Sequence, residues 1–370
     1  MILLRYEWKK LLKSKLFIFS FIVLFGVHLL YSFVPYVMDY HNNGEVLQIE
    51  KNLKQKVSGP ITNDTFEKIN ALKQDTNKQG ENNEAQADKI YLNVIESEIN
   101  NQLDYSQQMK DYCQNIKDNI VYLETHHEKR QVLKYEKLYQ TYEGRTLSYY
   151  DNHKGWDKLL DNQTSVIFIL LIMMITLPMV YSREKESDME LILYSTKIGN
   201  QQIQKGKLYF TISFVIVLVV LFSLMDAILT LSIYGFDGAQ LPVYTNAAYH
   251  FSTMNVTMLG YWLYRVLFQL IALCCMGVII LTISRRIKNP MMSIMITFAF
   301  VSGLLLLGET GFTTWNPCGL LYLNKTVNDV TCITIFHHSF YTYQITLLLD
   351  VCILLMIFLY TRYTRRRKSL

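Results

Sequence analysis

Three ionisable side chains, Asp226, Arg265 and Asp350, stand inside runs that are otherwise apolar. A charge in hydrocarbon costs at least a few kcal/mol, so such groups turn toward one another or toward a water-filled cavity. In that setting they relay protons, line a substrate path or latch helices together. Counting from the ends of their runs puts Asp226 and Arg265 about eight residues, and Asp350 about seven, below one face; at about 1.5 Å per residue the depths agree. Two uses fit this pattern: an inert tie between helices, and a polar lining of a path or gate.

Little else in the chain could do bond chemistry. "QQIQKGKL" comes nearest to a phosphate loop, but Gln201 replaces the first glycine and Leu208 the Ser/Thr, which removes the backbone cradle and the magnesium hydroxyl. There is no H-E-x-x-H, G-x-S-x-G or dinucleotide fingerprint. His126–His127 and His337–His338 lack further ligands at metal spacing and read as surface residues. Cys274, Cys275 and Cys352 fall within apolar runs and read as small apolar residues. Cys318 and Cys332 share one loop, where a disulfide and two free thiols fit equally. The expectation is a non-catalytic chain with no cofactor of its own.

The charges are positioned by long apolar elements. The chain is 51% hydrophobic and 18% charged, but its charges are gathered into blocks. Between the blocks lie six apolar runs, about 16–38, 165–181, 208–234, 257–283, 290–308 and 343–361. Each is near the roughly 20 residues a helix needs to cross a bilayer. Runs such as Phe210–Leu224 are apolar on every face, unlike the one-sided pattern of a soluble core helix. The first run is too long for a signal-peptide core of about 7–15 residues, and no small-residue cleavage site follows it.

Orientation is read from Lys and Arg beside the runs. Arg5, Lys9, Lys10, Lys13 and Lys15 precede the first, and Arg183, Lys185, Lys197, Lys205 and Lys207 join the second to the third. Arg285, Arg286 and Lys288 join the fourth to the fifth, and Arg362, Arg365, Arg366, Arg367 and Lys368 follow the sixth. The loops 235–256 and 309–342 contain only Lys325. This bias predicts a multi-pass protein of a cell membrane, of bacterial plasma-membrane type, with both termini cytoplasmic. Because the membrane flanks already account for the basic residues, no nucleic-acid surface is indicated. Residues 39–163 hold 16 basic and 21 acidic residues, and a segment this long crosses regardless of charge, so it is expected outside.

The flanking segments are helical in pattern too. In "MILLRYEWKKLLKSK", residues 1–15, Leu4, Trp8, Leu11 and Leu12 recur at helical spacing with the basic residues on other faces. That pattern predicts an amphipathic elbow lying in the membrane interface. Within 39–163, Asp64 and Glu67 mark a helix start, and a polar hinge follows in "KQDTNKQGENNEAQADK". From Leu92 through Ile95, Ile99, Gln102, Ser106, Met109, Cys113, Ile116 and Ile120 to Leu123, a three-four spacing predicts a coiled-coil-like seam. The expected fold is therefore an all-α integral membrane protein: elbow 1–15, first span 16–38, an outer helical domain 39–163, and spans two to six within 164–370.

The segment between the second and third runs has mixed charge around an apolar ridge of Met189, Leu191, Ile192 and Leu193. Such a ridge suits a short helix docking on a soluble protein. The stretch "REKESDMELILYSTKIGNQQIQKGKL" resembles the first cytoplasmic loop of the type-2 ABC exporter permeases, in the subset with a large domain between the first two spans. The resemblance rests on Glu190, Leu191, Ser195, Thr196 and Lys207, and on the six-span layout. The chain departs from that family at Ser187–Asp188, where a glycine is usual, and at Lys197–Asn200, where a proline and a Ser-Arg pair are common.

The resemblance implies a coupling helix that touches a separate ABC ATPase through Glu184, Met189, Glu190, Leu191, Leu193, Ser195 and Thr196, with Arg285 and Arg286 from the second such loop. It further implies two ATPase copies carrying ATP and Mg, a second or paralogous permease, and surrounding membrane lipid. The expected function is export of an amphipathic peptide, lipid-like or antimicrobial compound. Two alternatives are a mechanotransmission-type permease that drives its outer domain, whose members have four spans rather than six, and a sensor or scaffold that transports nothing.

Overall fold

The computed structural model describes residues 2–78, 83–189, 199–309, 315–328, 330–335 and 338–363. It is about 80% helical. The elbow α1 (Ile2–Leu12) turns at Ser14 into α2 (Lys15–Val57). Then come α3 (Asn63–Lys78), α4 (Asn83–Thr125), α5 (Lys129–Tyr142), the short α6 (Lys154–Asp161), α7 (Thr164–Thr176) and α8 (Met179–Glu186). The remaining helices are α9 (Gly199–Tyr234), α10 (Met258–Ser284), α11 (Pro290–Glu309), α12 (Leu323–Asn328) and α13 (Thr342–Tyr363).

Six of these segments are long and apolar enough to cross a membrane, so the chain is a multi-pass membrane protein. They begin and end within a few residues of the six apolar runs, with two differences. The first span does not stop near residue 38: α2 continues for 43 residues, past Pro35 and a non-helical Asn43, into the large domain. The second span bends at Leu177–Pro178, because proline lacks the donor that would continue the ladder, and α8 resumes beyond it. Spans two and four form the middle of the bundle, where Ile172, Met173, Val215, Phe222, Leu273 and Met276 are buried together. Spans one, five and six present most of their surface outward.

In the large domain, α4 carries the three-four seam. Leu92, Ile95 and Ile99 pack against Ile69 of α3 and Leu53 and Val57 of α2, while Tyr105 and Met109 pack with Tyr142 and Leu147. The chain turns between α4 and α5 at His126 and His127, both exposed, with His127 at φ 60°. His338 is exposed as well, and His337 lies outside the described residues. Two small antiparallel pairs depart from the all-helical expectation. β1 (Gly59–Pro60) pairs with β2 (Tyr149–Tyr150), and β3 (Cys332–Ile335) pairs with β4 (His338–Tyr341). Each is too short to leave a period-two pattern in the sequence.

The domain sits directly on the loops that join the spans. Gly155 of α6 lies so close to the Gly235 carbonyl that a Cβ would collide with it, and Gly238 turns beside Asn152 at φ 78°, in the left-handed region.

Candidate functional site

Charged side chains meet at three levels of the bundle. At the elbow end, α1 packs across the start of α9. Trp8 Nε1 donates to Ser213 Oγ at 3.1 Å, and the indole packs edge-on to Phe210 and Phe214. The elbow is therefore seated on the third span, with Leu11 buried and Leu12 turned out. Beside it, Lys207 is fully buried and Glu7 and Glu184 are nearly so. Lys207 Nζ stands 2.9 Å from Glu184 Oε1 and 3.3 Å from Glu7 Oε1, and it donates to the Val180 carbonyl at 2.7 Å. Lys10 Nζ reaches the same Glu184 oxygen at 2.6 Å. These four side chains bind together the elbow, α8 and the third span. A buried charge is tolerated when partners satisfy its remaining donors or lone pairs, and here they do.

Bonds between α8 and its other neighbours complete the arrangement. Arg183 donates to Ser14 Oγ at 3.0 Å, Lys185 to the Arg285 carbonyl at 2.5 Å, and Lys288 meets Asp188 at 3.2 Å. The base of the segment between the second and third spans is thus tied to the elbow and to the 285–289 turn. This corrects one expectation: Glu184 is not on a docking surface, because its carboxylate is occupied inside the cluster. Met189 and Arg286 are exposed, and Arg285 is half-buried. Glu190, Leu191, Leu193, Ser195 and Thr196 lie outside the described residues.

Inside the membrane, Asp226, Arg265 and Asp350 do not form one site. Asp226 of α9 stands 3.0 Å from Nε2 of His28 in α2 and accepts a 2.6 Å hydrogen bond from Ser165 Oγ of α7. The His28 ring lies against Phe168 and Phe222. Arg265 of α10 instead donates to the Leu160 carbonyl at 2.8 Å. Tyr249 Oη and Asn324 Nδ2 each reach that carbonyl at 3.1 Å. Leu160 is in the last turn of α6, whose terminal carbonyls have no intrahelical donors and carry the negative end of the helix dipole. Arg265 supplies the missing positive charge. Asp350 of α13 is fully buried beside the Cys275 thiol, a weak donor, and among the described residues no stronger partner reaches either carboxylate oxygen.

His28 escaped the sequence reading because one histidine in an apolar run carries no spacing signal of its own. Its partner Asp226 stands on a helix far along the chain, and their meeting is visible only after folding. Cys318 and Cys332 are not joined to each other. Cys318 Sγ lies 3.9 Å from Met276 Sδ within the bundle, whereas Cys332 opens β3 and directs Sγ to the Val330 carbonyl.

At the third level the large domain is clamped to the loops beneath it. The Arg145 guanidinium lies between the Tyr142 and Tyr244 rings and donates to Asn255 Oδ1 and the Ser252 carbonyl, both at 2.7 Å. Tyr142 donates to the Phe251 carbonyl at 2.7 Å and Tyr105 to the His250 carbonyl at 3.1 Å. Burial pushes the Tyr105, Tyr142 and Tyr244 phenols above their ordinary range, and Tyr341 up to about 12. Among the described residues no group of three or more His, Cys, Asp or Glu could hold a metal ion. No protein family, curated protein or solved structure matches the chain.

Proposed function

We propose that the chain is the membrane-spanning permease of an ATP-driven exporter of the ABC type, carrying an amphipathic peptide, lipid-like or antimicrobial compound outward. The observation that carries this reading is the buried Glu7–Lys10–Glu184–Lys207 cluster. A push on the segment after α8 would reach the elbow and the third span together through Glu184, which is the linkage an external ATPase needs. ATP and Mg would belong to two copies of that partner, and a second or paralogous permease would complete the pore among membrane lipid. On this reading the elbow end and both termini face the cytoplasm, and the large domain stands outside.

The test is co-purification with the ABC ATPase of the same cell. Leu191→Asp with Leu193→Asp should release the ATPase while the permease stays inserted, because charge replaces an apolar ridge. An ATPase that stays bound would count against the assignment of this segment. In a cysteine-free background, an impermeant thiol reagent added outside should label Asp118→Cys and not Ser187→Cys. The reverse labelling would overturn the orientation.

A second reading, mechanical drive of the outer domain, is favoured by one feature: α2 carries on from the first span into the domain, through Pro35 and a kink at Asn43. A flexible insertion after Gly44 separates the two. It should abolish ATP-dependent motion of a fluorophore on α4 under the mechanical reading, and leave ATPase capture intact under both.

A further inference from the structure

The first and third spans face each other with polar side chains at matching spacing. On α2, His28, Ser32 and Tyr36 recur every fourth residue, and on α9 so do Asp226, Thr230 and Tyr234. Residues four apart share one face of a helix. Folding sets the two rows in register. His28 Nε2 stands 3.0 Å from Asp226 Oδ1, and two turns on the Tyr36 and Tyr234 rings meet edge-on, 5.6 Å between centroids. Ser32 and Thr230, both buried, occupy the rung between. The seam ends at the face that carries the large domain, where Tyr234 Oη donates to the half-buried Asp39 at 2.6 Å. Eight residues separate His28 from Tyr36, about 12 Å of helix.

The lower end of the seam is closed. The His28 ring is fully buried against Phe168 and Phe222, so no ligand of atomic size reaches it. A proton can, because a hydroxyl passes one along by accepting it and releasing its own. The ring is turned to receive it: Nε2 faces Asp226, and Nδ1 faces Ser32 Oγ at 3.5 Å, on the side of the seam. Tyr36 in turn neighbours Thr230 and, at the α6–α7 junction, Asn162. Few other charges act here. α7 offers Ser165 and no ionisable side chain. α10 offers Arg265, which acts on Asp226 while bound to the Leu160 carbonyl, and Asp161 acts on Tyr36 from above.

We propose that this seam carries protons from the domain-bearing face of the membrane to His28, so that His28–Asp226 is a proton-binding site reporting the acidity of that face. A proton from water enters beside Asp39 and Tyr234, each hydroxyl takes one and gives one up, and the last arrives at His28 Nδ1. Nothing is oxidised or reduced. Before uptake the pair carries the charge of the Asp226 carboxylate in an apolar layer. After uptake it is an ion pair that holds the first span to the third. The pair is a clasp set by acid on one side of the membrane.

The test uses the full chain with ring-labelled histidine, in vesicles sorted for the large domain outward. Infrared difference spectra follow imidazole protonation after light-triggered proton release, and the band missing in His28→Gln belongs to His28. Protonation of His28 between pH about 5 and 8 is expected, fast for protons released outside the vesicles and slow for those released in the lumen. Tyr36→Phe and Ser32→Ala remove hydroxyls and keep the packing, and each should slow outside uptake about tenfold at an unchanged midpoint. Tyr31→Phe, which changes an exposed phenol on the same span, should leave the rate as it is.

Equal rates from the two sides overturn the seam as the route, and so does an unslowed Tyr36→Phe or Ser32→Ala. An equal slowing in Tyr31→Phe also overturns it, by assigning the effect to the loss of any phenol. His28 that keeps one protonation state across this pH range makes the pair an inert tie and overturns the site. The measurement needs no ATPase, so it stands or falls apart from the exporter reading.

Discussion

The two ends of the helix bundle are held by different chemistry. At the elbow end, two carboxylates and two ammonium groups meet with Lys207 at the centre, and each charge depends on the others staying in place. At the domain end, neutral phenols donate to loop carbonyls, and the Arg145 guanidinium rests between aromatic rings. Removing one member of a buried ion cluster leaves another charge stranded, whereas removing one phenol loses one bond. On the exporter reading, the first arrangement would carry a displacement of α8 to the elbow and the third span, and the second would hold the domain in place.

The sharpest way to break this comparison is Lys207→Met. It leaves Glu7 and Glu184 facing each other with only Lys10 nearby, and should cost about 3–5 kcal/mol in thermal unfolding of the purified chain. Adding Glu7→Gln and Glu184→Gln should recover part of that loss. A single-variant cost as small as that of a surface substitution would show that water enters the cluster.

Arg145→Met tests the other end. Two charge-assisted hydrogen bonds are lost, so about 2–3 kcal/mol is expected. The loss should appear as faster hydrogen exchange in α4, with α8 unaffected. Exchange that rises equally in α8 would erase the distinction between the two ends.

Between them lies the membrane-buried pair. His28→Leu leaves Asp226 with Ser165 alone and should destabilise by about 2 kcal/mol; a second change, Asp226→Leu, should restore part of it. Arg265→Leu should not be rescued by Asp226→Leu, because the guanidinium is bound to the Leu160 carbonyl. Rescue there would reinstate a single intramembrane site.

The smallest effect is one of pH. Tyr341 is held protonated, with its phenol raised from the ordinary 10.0 to about 12. A group raised in the folded state keeps its full contribution below its unfolded value and loses it as pH climbs through the folded one. The clamp should therefore be indifferent to pH from 7 to about 9 and weaken from about 10 toward 12. Unfolding followed by tyrosinate absorbance, compared with Tyr341→Phe, reads this directly. Weakening that is as large in the phenylalanine variant would assign the pH effect to other groups.

The spans were legible because hydrophobic length is a local property: from Met258 to Ser284 the sequence is apolar whatever surrounds it. The seam from Leu92 to Leu123 was legible for a similar reason, since its spacing matches the helical period without reference to a partner. Partner choice was not. Asp226, Arg265 and Asp350 share a depth, and sequence alone pairs them on that ground. Yet α6 lies where its free carbonyl end takes Arg265, α2 brings His28 to Asp226, and Asp350 is left to the Cys275 thiol.

Glu184 shows the same limit from the other side. Its place among charged residues reads as surface, and only the crossing of α1 over the third span encloses it. Length, composition and period are fixed along one chain, so they determined which segments span and which faces are apolar. An ion pair is settled by which helices touch and by what else competes for each donor and acceptor, and those quantities exist only once the chain has packed.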